Sequence, residues 1–525
     1  MAQAPATPAL SAFRQKKKLR LWLGIIALLF AVPLLLLLQC RYTSSSRLPP
    51  PALHASPKAV RLAEVSTGLD DIQIDAVFRP ETRSLHVTQQ LLLTNRDHSA
   101  RDTLVLRTYP NAYQNEETSP IATEEFFALC YPKNFSGGSL VIASISAAME
   151  NEAPAPISHR YTDGQKTVME CRLPALWQPQ TALRITLSYT VTLPRAANRF
   201  GENNGFWAFG NAFALPAVWE DGAYRTDPYF PVGDPFLSDC FNFSARITMP
   251  KGYVCAGSGL KDIRTEHDGS LVYSFEAQAA RDFALCFSEQ YTVAHAMQGD
   301  TTVAVYAANR SAAELALRYT TQALACFEEL YGEYPYLSLT VAEVDFPFGG
   351  MEYPSLIMLS SDLLLQKGQT LEWTIAHEVA HQWWYAVVGS DPVRDAWQDE
   401  ALAEYSLLRY AEMQYGREAR EDLQFTRIET AMRVLVPRGI TPGSPLDYFE
   451  TMSEYSLVVY RRGAALLCAL DIALDGMLDD FLKAYYHQYA FQRASRADFE
   501  SLLNAHAAQD LHPLMVDYLD TYLLN

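Results

Sequence analysis

The sequence has 525 residues, of which 49% are hydrophobic, 12% aromatic and 19% charged. This mixture can bury large cores, which excludes a wholly disordered chain. Asp and Glu (60) outnumber Lys and Arg (42), giving a net charge of −18. A dedicated nucleic-acid-binding protein would carry the opposite balance, so no nucleic-acid partner is expected.

An apolar segment lies close to the N-terminus. Residues 21–38, LWLGIIALLFAVPLLLLL, contain no charged side chain, and about 18 such residues are near the lower limit for a membrane-spanning helix. Five basic residues precede the segment within residues 1–20: Arg14, Lys16, Lys17, Lys18 and Arg20. The positive-inside rule therefore predicts a single-pass membrane protein, with residues 1–20 as a cytoplasmic tail and everything after the anchor exported.

A cleaved signal peptide is the alternative interpretation of residues 21–38. Such a peptide has a shorter apolar region, followed by small residues at the cleavage site. Here Gln39 and Cys40 follow the apolar run. An uncleaved signal anchor is the better fit, followed by a Ser/Pro-rich stalk over residues 39–60.

The pattern after the stalk changes once. Residues 61–300 alternate apolar and polar side chains with period two, which predicts a β-rich domain. Strands are expected at 84–95, 102–110, 181–194, 241–250 and 270–277.

Residues 301–525 have mostly helical periodicity, with two short strands at 339–346 and 355–361. Helices are expected at 311–332, 369–388, 398–415, 417–435, 456–475, 477–490 and 497–508. The fold class is thus α+β multidomain: a transmembrane helix, an antiparallel β domain, and a mostly helical domain with a small sheet.

An H-E-x-x-H motif lies within the first long helix after the two strands. His377 and His381 are four residues apart, so both imidazoles lie on one face and can bind one metal ion. Glu378 projects beside them and can reach a water at that metal. Two neutral nitrogen ligands suit Zn²⁺, and one ion per chain is expected.

A third ligand candidate is Glu400, which follows His381 after 18 residues. Two antiparallel helices joined by a loop can bring Glu400 back to the histidines. A His, His, Glu set leaves one zinc position open, as catalysis requires. Glu404 lies one turn further on and is expected either to accept a hydrogen bond from a ligand histidine or to be a plain surface residue.

These motifs resemble those of a known family. HEVAHQWW (377–384) followed by WQDEALAEY (397–405) is similar to the HExxH-x18-E signature of the gluzincin aminopeptidases, peptidase family M1, which includes enzymes of the membrane alanyl aminopeptidase and leukotriene A4 hydrolase type. FGGMEYPS (348–355) resembles the family's Gly-x-Met-Glu-Asn segment, and VVYRRGAALL (458–467) resembles its V-Y-E-K-G-A motif. Further similarity lies at Phe230, Pro231, Asp234 and Pro235, within an F-P-x-x-D-x-P region.

The resemblance implies a saddle-shaped β domain, a thermolysin-like catalytic domain and hydrolysis of N-terminal residues from peptides. Glu378 would be the general base toward the water that attacks the peptide, and Tyr460 would stabilise the oxyanion, with Tyr455 a nearby competitor. Glu352 would pair with the substrate's α-amine. The substrate-binding segment would also include Gly349, Gly350 and Met351.

Two departures from the family pattern bear on the aminopeptidase mode. Tyr353 stands where the family has Asn, and the β domain lacks a clear match to the Gln or Glu that also binds the α-amine. Glu220 and Asn211 are the candidates to replace it. Three alternatives stay open: a zinc endopeptidase, another hydrolase of the same scaffold such as an epoxide-opening enzyme, and a non-catalytic binding protein. Peptides are the expected partners, and no obligate protein partner is evident.

The eight cysteines form no metal-binding or disulfide framework. They show no CxxC spacing, and most are expected to be buried singly. A disulfide between Cys240 and Cys255, or between Cys255 and Cys286, is left open by the sequence.

Overall fold

The structure is a computed structural model that describes residues 56–121, 124–150, 152–266 and 269–521. The predicted tail and anchor, and residues 39–55 of the predicted stalk, lie outside these ranges. Among the helices in the described ranges, none combines the length and apolarity that a membrane span requires.

The N-terminal half is built from strands, as predicted. Their bounds are β1 Asp70–Arg79, β2 Ser84–Thr94, β3 Arg101–Arg107, β4 Ser139–Met149, β5 Ala155–Pro156, β6 His159–Tyr161, β7 Val168–Trp177, β8 Ala182–Thr192, β9 Phe200–Asn203, β10 Phe206–Phe209, β11 Leu215–Pro216, β12 Trp219–Glu220, β13 Ala223–Tyr224, β14 Phe241–Met249, β15 Val254–Gly257, β16 Leu260–Thr265, β17 Leu271–Ala280 and β18 Leu285–Ser288. Two helices, α1 Pro57–Ser66 and α2 Glu124–Cys130, accompany them.

The largest sheet has eight strands in the order β16-β17-β14-β1-β2-β8-β4-β5, and its pairs are antiparallel except β1 with β14. Period-two burial explains β2, because its alternate residues face the core while those between them are exposed: Leu85, Val87, Gln89, Leu91 and Leu93 are buried, and His86, Thr88, Gln90 and Leu92 are exposed. Smaller sheets have the orders β15-β18-β10-β9, β11-β3-β7-β6 and β12-β13. Their inward side chains form one hydrophobic core with those of the large sheet.

The C-terminal half is a mixed sheet covered by helices. Its strands are β19 Thr292–Gln298, β20 Thr301–Ala307, β21 Ser338–Val344, β22 Gly350–Tyr353 and β23 Leu356–Ser360, in the order β19-β20-β21-β23-β22. The helices are α3 Arg310–Tyr331, α4 Ser361–Gln366, α5 Gln369–Ala380, α6 Trp397–Tyr415, α7 Arg417–Gln424, α8 Thr430–Met432, α9 Met452–Tyr455, α10 Gly463–Ala473, α11 Leu478–Tyr489, α12 Arg496–His506 and α13 His512–Leu519. Two π-helical stretches, Phe425–Glu429 and Ser456–Arg462, join α7 to α8 and α9 to α10.

Three predicted boundaries differ from the structure. β19 pairs with β20 in the second sheet, so the change of architecture falls between Ser288 and Thr292 and not at residue 300. The stalk predicted up to residue 60 ends before α1, which Ser56 caps and whose Lys58 is buried. The helix predicted over 369–388 ends at Ala380, and the chain after it turns, with Tyr385 at a positive φ of 121°.

Arg281 joins the two halves of the described chain. Its side chain is 2% exposed and donates hydrogen bonds to the backbone carbonyls of Tyr385, Val387 and Gln492 in the C-terminal half, and of Ser238 in the β half. A buried guanidinium has to be hydrogen-bonded, so these carbonyls fix one half against the other.

The seven described cysteines are free thiols, and six of them are buried. Neither of the disulfides that the sequence left open is formed. Burial raises the pKa of the Cys255 thiol to about 12, so this thiol is protonated and unreactive at neutral pH.

Candidate metal centre and active site

The two histidines of the motif meet at the C-terminal end of α5. His377 lies in the last turn of the helix, and His381 is the residue that caps it. Their Nε2 atoms are 3.1 Å apart, and both side chains are buried. The spacing of one helical turn therefore aims both nitrogens at one point, as predicted.

Glu400 comes from the first turn of α6 and completes the cluster. Its Oε2 atom lies 3.4 Å from His377 Nε2 and 3.3 Å from His381 Nε2. Zinc–nitrogen distances of about 2.0–2.1 Å in a tetrahedron separate neighbouring ligand atoms by about 3.3 Å, so the three donors fit a zinc ion. Although burial opposes it, hydrogen bonding to both histidines lowers the pKa of Glu400 to about 2, which keeps this ligand ionised.

A second layer of side chains orients the two histidines. His381 Nδ1 lies 2.5 Å from Asp399 Oδ1 and 3.2 Å from the Trp384 carbonyl oxygen. His377 Nδ1 lies 3.4 Å from Glu404 Oε2, an ion-pair distance that does not meet hydrogen-bond geometry, so the hydrogen bond expected of Glu404 stays a prediction. Asp399 and the Trp384 carbonyl hold the proton of His381 on Nδ1, which leaves its Nε2 lone pair free for a metal.

Arg427 in turn fixes Glu404. Its Nε and Nη2 atoms donate to the two carboxylate oxygens of Glu404 at 2.5 and 2.9 Å. Although burial opposes it, Arg427 lowers the pKa of Glu404 to about 2. The sequence analysis missed both Asp399 and Arg427. The position of Asp399, directly before a ligand, was a usable signal, but nothing in the sequence around Arg427 connects it to the site.

Glu378 faces the cleft beside the metal cluster. Its carboxylate Oε2 is buried without a hydrogen-bond partner among the described residues, and burial raises the pKa of the group to about 7. Gly350 lies directly against it, since a methyl group on Gly350 would approach the Glu378 carboxyl carbon to 2.4 Å. The glycine thus gives Glu378 its space, which is a use of glycine that the sequence does not reveal.

Tyr460 lies in the π-helical stretch Ser456–Arg462, at the same cluster. Its hydroxyl donates to Glu400 Oε1 at 2.5 Å, and its ring stacks on His377 with a centroid separation of 5.6 Å. Burial raises the pKa of Tyr460 well above its ordinary value, so the hydroxyl is protonated at neutral pH. The competitor Tyr455 is 1% exposed and packs against Phe449 and Tyr460, and it is not among the residues that line the cleft.

Another wall of the cleft is β22, which lies at the edge of the second sheet and belongs to the FGGMEYPS segment. Glu352 is buried here, and one of its carboxylate oxygens lies within 4.8 Å of donor atoms of Glu378 and His381. Gly349 and Met351 line the same cleft, whose volume is about 690 Å³. The structure therefore gathers the candidate metal ligands, base, tyrosine and amine-binding residue around one cavity.

The substitutes suggested for the missing β-domain residue do not reach this cavity. Glu220 does not line the cavity and forms ion pairs with Arg225, Arg394 and Arg493. Asn211 donates to Asp282 and accepts from Tyr353. Asp234, in the F-P-x-x-D-x-P segment, is the carboxylate that the β half contributes to the cleft lining, and it pairs with Arg199.

Comparison with known proteins agrees with this arrangement. The Peptidase family M1 domain model matches residues 315–518. Mouse Aminopeptidase RNPEPL1 is 26% identical over 461 residues, which is 81% of this chain and 60% of that protein. Leukotriene A-4 hydrolase of Xenopus laevis is 28% identical over 196 residues (35% of this chain, 32% of that protein), and human Aminopeptidase B is 29% identical over 193 (34% and 28%).

Solved structures share the fold. The M1 zinc metallopeptidase from Deinococcus radiodurans superposes with a TM-score of 0.60 at 18% identity, covering 87% of this chain and 95% of that one. A mutant of that enzyme bound to a Tyr-Ser-Ala substrate gives the same TM-score at 19% identity, with the same coverage. The family's catalytic ion is Zn²⁺, and His377, His381 and Glu400 form the candidate site for it. The C-terminal half of the chain is thus similar to the catalytic domain of peptidase family M1.

Proposed function

We propose that this chain is a zinc aminopeptidase that removes residues from the N-terminus of peptides. The observation that carries the proposal is the convergence of three groups on one cleft: the His377, His381 and Glu400 cluster, the unpartnered carboxylate of Glu378, and the buried carboxylate of Glu352. The mouse and human relatives are named as aminopeptidases, which supports the same reaction class here.

A zinc ion held by the cluster would supply a Lewis acid and a more acidic water. Glu378 would take the proton of the attacking water and give it to the departing amine. Its carboxylate Oε2 is free to do so, because the described residues provide it with no hydrogen-bond partner. Gly350 leaves room for the carboxylate to face the substrate.

Tyr460 would donate a hydrogen bond to the carbonyl oxygen that gains negative charge. Its hydroxyl lies at Glu400, one of the candidate ligands, and its ring is held by stacking on His377. A donor fixed in advance stabilises developing charge without reorganisation, which is the source of its catalytic effect.

The aminopeptidase mode depends on Glu352. A carboxylate on the edge strand beside the cluster can pair with a free ammonium and so place the first peptide bond at the metal. Asp234 adds a second carboxylate from the β half, although Arg199 partly neutralises it. Tyr353, at the departure from the family motif, turns away from this cavity toward Asn211 and leaves the amine position open.

The test compares peptides that differ only at the N-terminus. Free peptides are expected to lose one residue at a time, whereas acetylated peptides resist cleavage. Loss of a charged hydrogen bond in Glu352→Ala should lower kcat/KM for free peptides by roughly 10–150-fold, while Glu329→Ala, an exposed helical glutamate, should have no such effect. Equal cleavage of free and acetylated peptides by the wild type would favour an endopeptidase instead.

The same proposal includes a membrane anchor formed by residues 21–38. Its support is the apolar run and the basic residues before it. Protease added to intact cells that carry the full chain should release a fragment starting near residue 60. Protection of the catalytic half, with no outer membrane in the way, would contradict this orientation.

A further inference from the structure

One face of the π-helical stretch Ser456–Arg462 lines the catalytic cleft. Ser456, Leu457, Tyr460 and Arg461 face the cavity, whereas Val458, Val459 and Arg462 are buried on the other side. Arg461 is therefore brought into the cleft by the same turn that positions Tyr460, and it follows Tyr460 directly in the chain. Both side chains line the same cavity.

Three arginines line this cleft, and two of them already have carboxylate partners. Arg199 pairs with Asp234, and Arg427 holds Glu404. For Arg461, by contrast, no carboxylate lies within 4.0 Å in the described ranges. The neighbouring Arg462 shows what a structural arginine looks like in this segment: it is buried and donates to the carbonyls of Ala431 and Val434.

The charge of the whole chain makes this free guanidinium more informative. With a net charge of −18, the protein repels anionic peptides at long range. The cleft itself carries the carboxylates of Glu352, Glu378 and Asp234. A peptide carboxylate that enters such a cavity needs a cation inside it, and Arg461 supplies one that no internal ion pair has neutralised.

We propose that Arg461 is a specificity-determining residue that binds a carboxylate of the peptide substrate. The inference rests on the proposed function and adds a substrate class to it: peptides that carry either an acidic side chain or a free C-terminal carboxylate close to the cleaved bond. A guanidinium is suited to this task because its planar donors match both oxygens of a carboxylate. The ammonium of the substrate would lie at Glu352 on one wall, and its carboxylate at Arg461 on the other.

The test uses pairs of peptides in which one carboxylate is replaced by an amide. The pairs are Glu against Gln at the first residue, Glu against Gln at the second residue, and a C-terminal acid against its amide in a short peptide. In the wild type, at least one pair should favour the acid by about 10-fold in kcat/KM, the lower range for a charged hydrogen bond. The pair that responds identifies the source of the carboxylate.

Substitution at Arg461 then assigns the preference. Arg461→Gln should bring the acid-to-amide ratio close to one, and Arg461→Lys should restore part of it, because the ammonium keeps the charge but loses the planar pair of donors. Arg184→Gln, at an exposed position on β8, is the matched control and should keep the wild-type ratio. An absent preference in the wild type, or an unchanged ratio in Arg461→Gln, would overturn the inference.

A binding measurement separates this inference from the proposed function. Calorimetric affinities for the same peptide pairs are compared between Glu378→Gln and Glu378→Gln/Arg461→Gln, neither of which needs to turn over. An acid preference of about 10-fold that disappears with Arg461 supports the inference even if no peptide is cleaved. If the wild type cleaves peptides but the acid-to-amide affinity ratio is the same with and without Arg461→Gln, the aminopeptidase proposal stands and the role of Arg461 is overturned.

Discussion

The hydroxyl of Tyr353 donates to Asn211 Oδ1 over 2.8 Å, and both side chains are buried. This bond ties the strand that carries Glu352 to the β half of the protein. The side-chain amide of Asn211 in turn donates a hydrogen bond to Asp282 at 2.6 Å. Gly210 is required beside it, since a methyl group there would lie 2.0 Å from the tyrosine oxygen. Tyr353, the residue that departs from the family motif, thus helps to hold the two halves together through this hydrogen bond.

Tyr353→Phe should destabilise the protein by about 1–3 kcal/mol, because it leaves the buried Asn211 carbonyl oxygen without its donor. Urea unfolding measures the loss. Tyr448→Phe is the control, since Tyr448 is 56% exposed and its hydroxyl can bond to water. Unchanged stability in Tyr353→Phe would show that the Tyr353–Asn211 bond contributes nothing to holding the strand.

Asp282 makes the same network sensitive to pH. Burial raises the pKa of its carboxyl from 3.8 to about 7. Because the folded protein holds this proton more tightly than the unfolded chain does, the protonated Asp282 carboxyl stabilises the fold. That stabilisation is fully present below pH 3.8 and is lost as the pH rises through 7. Compared with Asp282→Asn, the wild type should therefore lose on the order of 4 kcal/mol between these limits, at about 1.4 kcal/mol per pKa unit.

Unfolding of both proteins at a series of pH values measures this difference. Other titrating groups are common to the two proteins and cancel in the comparison. A difference in stability that stays constant from pH 4 to 8 would show that Asp282 keeps an ordinary pKa in the folded protein.

His381→Ala should abolish zinc binding, because it removes one of the three donors that lie 3.1–3.4 Å apart. The purified wild type is expected to carry about one zinc ion per chain. Elemental analysis gives the stoichiometry, and the rise in Tm on adding Zn²⁺ reports binding independently of activity. His98→Ala, at an exposed position, is the control. Full zinc content in His381→Ala would rule out this ligand set.

Asp399→Asn should weaken zinc binding by roughly 10–100-fold without removing a ligand. The amide can no longer hold the proton of His381 Nδ1 as strongly as the carboxylate does at 2.5 Å. Competition with a chelator measures the affinity. Wild-type affinity in this variant would assign the orienting role to the Trp384 carbonyl alone, which lies 3.2 Å from the same nitrogen.

Gly350→Ala should lower kcat while zinc remains bound. The added methyl group would lie 2.4–2.5 Å from side-chain atoms of Glu378, so the general base has to move. Loss of a well-placed base typically costs 10²–10⁴-fold, and we expect a displaced base to lie toward the lower part of that range, roughly 10²-fold. Gly368→Ala is the control, because no atom lies within 4 Å of the methyl group it would add.

The sequence predicted those parts of the molecule whose signals are local. Period-two alternation located β2 and β8, and the four-residue spacing of His377 and His381 located the metal site. The change of architecture was placed too late because β19 is also a strand, and the local sequence of a strand does not tell which sheet it joins. The roles of Asp399 and Arg427, and the bond from Tyr353 to Asn211, depend on tertiary contacts that sequence spacing cannot reveal.

The carbonyls bound by Arg281 have a consequence for attempts to divide the protein. Three of them belong to the segments that follow α5 and α11, yet the guanidinium that donates to them comes from the β half. A truncated chain containing only the helical half would leave those oxygens to water and expose the surfaces around them. A chain containing only the β half would leave the Arg281 guanidinium without the carbonyls that accept its hydrogen bonds. A chimaera that combines halves from two relatives should therefore fold only where the β half supplies this arginine and the other half supplies turns whose carbonyls can accept its hydrogen bonds.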